Sequence, residues 1–120
     1  MKNYLFLLIV LLTLSCKEKV KPSSICDVGN PTQDLPWLKA EIQSREQDHG
    51  DVAKYFFIEQ GEYNNQTVFL YDNCCPMCNT IITVYDCSGI KLFDLSPGIE
   101  IKNIKTIWKP EGNPCQVVID

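Results

Sequence analysis

Histidine and the short motifs of common catalytic sites are scarce in this chain of 120 residues. The only histidine, His49, lies in the polar stretch 47–50, where we expect a helix to end and the side chain to be solvated. A Ser-His-Asp triad would have to use this residue, and no HExxH, GxSxG or phosphate-binding loop is present. The acidic residues are scattered and mark no paired-carboxylate site. The sequence therefore predicts a protein that is not an enzyme and carries no cofactor.

Positive charge and long apolar runs are limited as well. The 11 Lys and Arg residues stand against 15 Asp and Glu, and the net charge of −4 argues against nucleic acid as a partner. The long apolar run, residues 5–14, has about half of the ~20 residues that a transmembrane helix needs. The composition, 45% hydrophobic and 22% charged, is that of a globular chain, and its length predicts one domain.

Cysteine is the residue in excess, and the first of the seven, Cys16, follows the apolar run after a single serine. Lys2 and the apolar residues 5–14 are typical of a signal peptide. Ser15-Cys16 at the end of that run resembles the lipobox of bacterial lipoproteins, although Thr13 stands where the strictest form has an aliphatic residue. The other interpretation is an ordinary secretory signal, with Cys16 as a free or disulfide-bonded cysteine.

The lipobox resemblance implies a processed and anchored protein. Residues 1–15 would be removed as the signal peptide, and Cys16 would carry the fatty acyl chains, palmitate among them. Residues 16–25 would form a flexible tether to a single globular domain, residues 26–120. Lys17, directly after the cysteine, resembles the sorting signals of outer-membrane lipoproteins. We therefore expect a lipid-anchored protein of the cell envelope, on the outer membrane, whose first partner is the membrane.

The six other cysteines predict a disulfide framework, because an even number in an exported chain favours disulfides. Six cysteines allow 15 pairings, and the sequence does not choose between them. The adjacent Cys74 and Cys75 should point to different partners, and at least one bond should join an end of the domain to its middle. We expect the stability of so small a domain to depend on these bonds more than on its core. The candidates are Cys26, Cys74, Cys75, Cys78, Cys87 and Cys115.

The stretch 34–50 predicts one helix. Asp34 is expected to cap it, Pro36 suits its first turn, and Gly50 should stop it. Trp37 is interpreted as an anchor in the core. Apolar residues recur at helical spacing and share one face: Leu35, Leu38 and Ile42.

From residue 52 onwards the pattern is one of strands and turns. The first two strands should form a hairpin around the turn 61–65, and the next two should meet at the turn 86–89. The segment 99–108 fits either a strand or a helix. The predicted strands are 52–58, 66–71, 81–85, 90–93 and 117–119. The fold class is therefore α+β, with one N-terminal helix packed on a small, disulfide-stapled antiparallel sheet.

A single helix covers only one face of such a sheet. Side chains alternate along a strand, which places Tyr55 and Phe57 on one face and Phe56 and Ile58 on the other. The uncovered face has two interpretations. It is either a surface for a protein or small-molecule partner, or it is covered by the segment 99–108.

Three motifs resemble a family of small bacterial lipoproteins that has no established activity. They are Leu35-Pro36-Trp37-Leu38, the hairpin segment 63–68, and Cys74-Cys75 followed by Tyr85-Asp86 and Gly89. This chain departs from the family at Asn65, where the family has Gly, and at Ile90, where it has Asn. The resemblance implies the same fold and the same location, and it implies no chemistry.

The segment Cys75-Pro76-Met77-Cys78 offers the alternative function. Redox enzymes place such a C-x-x-C at a helix N-terminus, which lowers the pKa of one thiol. The β-branched residues that follow favour a strand instead, and no βαβ unit is recognisable. Two thiolates and the Met77 thioether would also suit Cu(I). The main prediction is a non-catalytic binding or accessory module without a metal. A thiol-redox or copper-handling protein using Cys75, Met77 and Cys78 is the alternative.

Overall fold

The structure, a computed structural model, describes residues 25–119; the predicted signal peptide, Cys16 and the tether up to residue 24 lie outside them. The helices are α1 (Pro31–Asp34) and α2 (Pro36–Glu46). The strands are β1 (Phe56–Tyr63), β2 (Gln66–Asn73), β3 (Thr83–Tyr85), β4 (Lys91–Asp94) and β5 (Lys102–Trp108). The strands form one antiparallel sheet in the order β4-β3-β2-β1-β5, which confirms the α+β class. Over these residues, neither helix has the length and apolar character needed to span a bilayer.

Helix α2 packs its apolar face on the middle of the sheet. Leu38 is fully buried there and forms one core cluster with Ile58 of β1 and Phe69 of β2. Trp37 packs against the same cluster, edge-on to Phe69 with ring centroids 5.4 Å apart. Its indole Nε1 donates a hydrogen bond of 2.8 Å to the Cys87 carbonyl. The predicted apolar stripe and the predicted role of Trp37 as a core anchor are confirmed.

The start of α2 differs from the prediction. Leu35 is extended, with φ −89° and ψ 110°, because the ring of Pro36 disfavours helical geometry in the preceding residue. The chain therefore breaks there, and Asp34 ends the short helix α1 instead of capping α2. The Asp34 carboxylate accepts a hydrogen bond of 2.7 Å from the backbone N–H of Asn30. Pro36 occupies the first turn of α2, as predicted.

The end of α2 also lies earlier than predicted. The helix stops at Glu46, and Gln47 takes the C-cap position, so Gly50 is not its stop signal. Asp48 supplies the physical reason, because its Oδ1 accepts a hydrogen bond of 2.9 Å from the Gly50 N–H. Such a bond from an aspartate to the backbone two residues later closes a turn that competes with the helix.

The hairpin turn is tighter than the predicted turn 61–65. Strand β1 continues through Gly61 to Tyr63, and the turn is formed by Asn64 and Asn65, both at positive φ (49° and 61°). Two such residues form the type of turn that matches the twist of paired strands. Gly61 lies within the strand and pairs with Val68, and the position needs a glycine because a Cβ there would lie 2.5 Å from Ile101 Cγ2. The predicted start of β1 at residue 52 was wrong, since Ala53–Tyr55 is a 3₁₀ turn.

The remaining strands correct four predictions. Strand β3 begins at residue 83 and not at 81, and β4 covers 91–94. The segment 99–108 contains the strand β5, which pairs with β1, so the helical alternative was wrong. Residues 117–119 form no strand, and Ile119 makes only a single parallel bridge to Thr106. The disulfide holds Cys115 beside Cys74, just beyond the end of β2. The tail therefore runs away from β5 at first and reaches it only at Ile119.

The second face of the sheet carries its own core. Leu70 and Val84 are almost completely buried there, beside Val68. Leu95 and Ile101, from the segment between β4 and β5, pack over them. Of the segment 99–108 that was predicted to cover this face, Ile101 does so. Strand β5 instead extends the sheet at its edge.

Three disulfides join all six cysteines of the described chain, as predicted. The bonds are Cys26–Cys87, Cys74–Cys115 and Cys75–Cys78, so the adjacent Cys74 and Cys75 do have different partners. Two of them tie an end of the domain to its middle, with sequence separations of 61 and 41 residues. The chain-entropy relation gives about 4 kcal/mol for each of these and about 2 kcal/mol for the short one.

Two glycines test how tightly Trp37 is packed. Gly89 and Gly98 both have positive φ (79° and 93°), but only at Gly89 would a Cβ meet Trp37, 2.7 Å from its Cδ2. Gly98→Ala should lower the free energy of unfolding by about 1 kcal/mol through backbone strain. Gly89→Ala should lower it by a further ~1–3 kcal/mol, because the indole must move. Urea unfolding of both variants measures this difference, and equal losses would contradict it.

Candidate functional site

An open cleft of about 670 Å³ lies where the C-terminal end of α2 meets the C-terminal end of β5. Residues of the loop after the helix form one wall, and Trp108 with residues 109–111 forms the other. Small-ligand sites are concave and place polar groups beside apolar or aromatic side chains, and here Trp108 is the aromatic residue of a mostly polar lining. The charged side chains that line it are Arg45, Glu46, Asp48, Asp51, Lys54, Lys109 and Glu111.

The cations of the cleft are held in place by their neighbours. The Arg45 Nε donates to the Glu41 carboxylate at 2.7 Å, and its guanidinium lies 4.5 Å from the ring centroid of Tyr71. Lys109 donates from its Nζ to the Val117 carbonyl at 3.0 Å. Burial raises the pKa of the Tyr71 phenol, and the nearby Glu41 charge adds to this, so Tyr71 stays neutral beneath the guanidinium.

His49 lies in this cleft on the exposed loop that follows α2. The prediction that this histidine is solvated is confirmed, but the cleft itself was not predicted. The two walls are about 60 residues apart in the chain, and no local pattern connects them. The usable signal was Trp108, a large aromatic residue directly before the loop 109–114.

The C-x-x-C segment takes a different form from a thioredoxin-like site. Cys75 and Cys78 are bonded to each other, and residues 79–82 form neither helix nor strand before β3 begins. Met77 is 92% exposed at the tip of the segment. While the disulfide is intact, neither sulfur is a thiolate ligand for a metal. Within residues 25–119, no three His, Cys, Asp or Glu side chains are grouped as a metal site.

The structure brings together two carboxylates that the sequence analysis described as scattered. The register of the hairpin pairs Glu59 with Leu70 and Phe57 with Asp72, so the two acids are diagonal neighbours on the second face. Burial, with a smaller contribution from the Asp72 charge, raises the pKa of Glu59 to about 7. Burial also raises the pKa of Asp72, against the opposing effect of the Asn73 N–H that it accepts. A predicted two-residue turn at 64–65 would have fixed the register of the hairpin and so placed these two carboxylates next to each other.

The raised pKa of Glu59 makes the stability of the fold depend on pH. The folded chain binds this proton more tightly than the unfolded chain, whose pKa is 4.5. The stabilisation is therefore complete below about pH 4.5 and is lost as the pH rises through 7. Because the side chain is only partly buried, solvent screening reduces the effect to about 1 kcal/mol.

Glu59→Gln should therefore raise the free energy of unfolding at pH 8 by about 1 kcal/mol and flatten its change between pH 4.5 and 7. Chemical unfolding across this pH range measures both effects. The exposed Glu100, changed to Gln, is the matched control and should leave the slope as it is. A wild-type slope in the Glu59 variant would show that this carboxyl is not the titrating group.

No family model, curated protein or solved structure matches this chain. The resemblance to small bacterial lipoproteins therefore depends on the short motifs at 35–38, 63–68 and 74–89 alone. The cleft, the disulfide loop and the buried carboxylates are the features from which its chemistry is inferred.

Proposed function

We propose that this chain is a lipid-anchored protein of the cell envelope that acts as a small, non-catalytic binding module. The cysteine pairing is the observation that carries the proposal. Within the described residues all six cysteines, from Cys26 to Cys115, are joined to one another, which leaves none of them as a partner for Cys16. An odd cysteine in an exported chain needs another role, and this one is separated by one residue from a signal-like apolar run.

Export and anchoring are supported by independent features. Three disulfides suit the oxidising conditions outside the cytoplasm. More than one acyl chain on Cys16 would hold the protein to a membrane, since each buried methylene contributes ~0.8 kcal/mol. The charged and Pro-containing residues 17–25 would then separate the domain from the lipid surface. Lys17 favours the outer membrane by its resemblance to lipoprotein sorting signals.

The cleft is the binding surface of this proposal. It presents charges of both signs around the indole of Trp108, with the cations Arg45, Lys54 and Lys109 against the acids Glu46, Asp48, Asp51 and Glu111. A ligand with only one sign of charge would meet repulsion from one of these groups. A small zwitterionic molecule, such as a free amino acid or a short peptide, pairs with both. No bond-making step is part of this function.

Replacing Cys16 tests the anchor. Metabolic labelling with a fatty-acid analogue should label the wild-type protein and leave Cys16→Ser unlabelled, because the thiol is the acylated group. The Cys16→Ser protein should also move from the membrane fraction to the soluble fraction. Ser24→Ala, a conservative change in the same segment, is the control and should be labelled like the wild type. Equal labelling of wild type and Cys16→Ser would refute the anchor.

Trp108 fluorescence tests the cleft. A dipeptide of lysine and glutamate should change the emission saturably, and Asp51→Asn and Lys54→Gln should each weaken binding about 5-fold, the effect of one exposed charge pair. Lys39→Gln, on the exposed surface of α2 outside the cleft, should bind like the wild type. Trp108→Phe should lose the signal. An unchanged dissociation constant in both cleft variants would contradict binding at this site.

A further inference from the structure

The three disulfides divide into two classes by the ring that each closes. Cys26–Cys87 and Cys74–Cys115 join separate parts of the fold, whereas Cys75–Cys78 closes a ring within one loop, with a sequence separation of 3. A disulfide stabilises the fold by the same free energy by which the fold stabilises the disulfide against reduction. By the chain-entropy relation, the factor by which the fold favours the bond over the free thiols is ~30-fold smaller for the short ring than for the long ones. At equilibrium, Cys75–Cys78 is the bond that a reductant opens first.

The surroundings of Cys75–Cys78 lead to the same conclusion. The segment 74–82 contains no helix and no strand, and Cys75 and Cys78 lie outside the two core clusters, although Cys75 itself is buried. Asn73 holds the segment by polar bonds, since its Oδ1 accepts from the Cys75 N–H and the Thr80 hydroxyl, each at 3.1 Å. Opening the disulfide therefore breaks no strand pairing, and Cys75 is the buried residue of the pair.

We infer that Cys75–Cys78 is a thiol–disulfide exchange site whose substrate is a dithiol, either a small molecule or the exposed dithiol of a protein. The two sulfurs are not equivalent. Cys75 is only 8% exposed, whereas Cys78 is half-buried and follows the exposed Pro76 and Met77. The incoming thiolate therefore attacks the Sγ of Cys78, and Cys75 is the leaving group.

The exchange conserves atoms and electrons. The substrate thiolate forms a bond to Cys78 Sγ, the Cys75–Cys78 bond breaks, and Cys75 leaves as a thiolate that takes a proton from water. The second thiol of the substrate, as a thiolate, then attacks the substrate sulfur of the mixed disulfide. Cys78 is released as a thiolate and is protonated in turn. The protein gains two electrons and two protons, and the dithiol becomes a disulfide.

The same loop explains why a dithiol is required. No residue from 74 to 82 is charged, and no helix begins after Cys78, so nothing here stabilises the leaving thiolate as a redox enzyme would. A monothiol would stop at the mixed disulfide or be expelled by Cys75. A second thiol on the same substrate completes the reduction.

Equilibrium reduction of the full chain with dithiothreitol tests the inference. After alkylation, mass spectrometry should find the first two thiols at Cys75 and Cys78. The dithiothreitol concentration that reduces this pair should be at least ~10-fold below the concentration that reduces either other pair. Ring size alone predicts a difference of ~30-fold. The near-ultraviolet circular dichroism of the domain should be retained at that point. First reduction of another pair, or joint reduction of all six cysteines with loss of the fold, would overturn it.

Two double variants complete the test. Cys75→Ala with Cys78→Ala should fold, with a thermal midpoint lowered less than in Cys26→Ala with Cys87→Ala, and should show no thiols in the low dithiothreitol range. Failure of the first variant to fold would overturn the inference as well, because the bond would then be structural. The monothiol 2-mercaptoethanol at the same thiol concentration should yield fewer free Cys75 and Cys78 thiols. Equal yields would remove the dithiol as the substrate class.

Discussion

The pairing of β1 with β2 around Asn64-Asn65 is the constraint on which the rest of the structure depends. It directs Ile58 and Phe69 towards α2 and places Val68 and Leu70 on the opposite face. A slip of one residue in one strand would exchange these faces and expose the apolar side chains that both cores bury. The tight turn prevents the slip, because two residues at positive φ close the hairpin in one register.

The same register sets the ends of the sheet. Phe56 lies opposite Asn73, so the chain leaves β2 beside Tyr55, whose carbonyl accepts a hydrogen bond of 3.2 Å from the Cys74 N–H. Asn113 donates from its Nδ2 to the Phe56 carbonyl at 2.9 Å and so brings the C-terminal tail to the same place. Cys74 and Cys115 are thus held close before any covalent bond is considered. The disulfide fixes a neighbourhood that backbone hydrogen bonds already favour.

The cysteines of the molecule differ in their position along the chain. Two disulfides tie the ends of a small domain to its sheet, and a third closes a ring within one irregular loop. Cys16 precedes the described residues, and its acylation and the thiol exchange at Cys75–Cys78 are the two roles that we propose for the cysteines outside the long rings. The cleft lies elsewhere, because it is formed by the ends of α2 and β5.

The sequence by itself determined the features that depend on near neighbours. Helical spacing identified the buried face of α2, β-branched and aromatic runs identified most of the strands, and the adjacent cysteines implied separate partners. Tertiary structure alone decided the disulfide pairing, the meeting of Glu59 with Asp72, and the cleft beside Trp108. The physical reason is distance along the chain, since a local pattern specifies only dihedral preferences and which side of an element is apolar. The meeting of distant elements depends on register and on packing energies summed over the whole sheet. Strand β5 is an example, because its residues fit a helix and a strand equally well and its pairing with β1 decides for the strand.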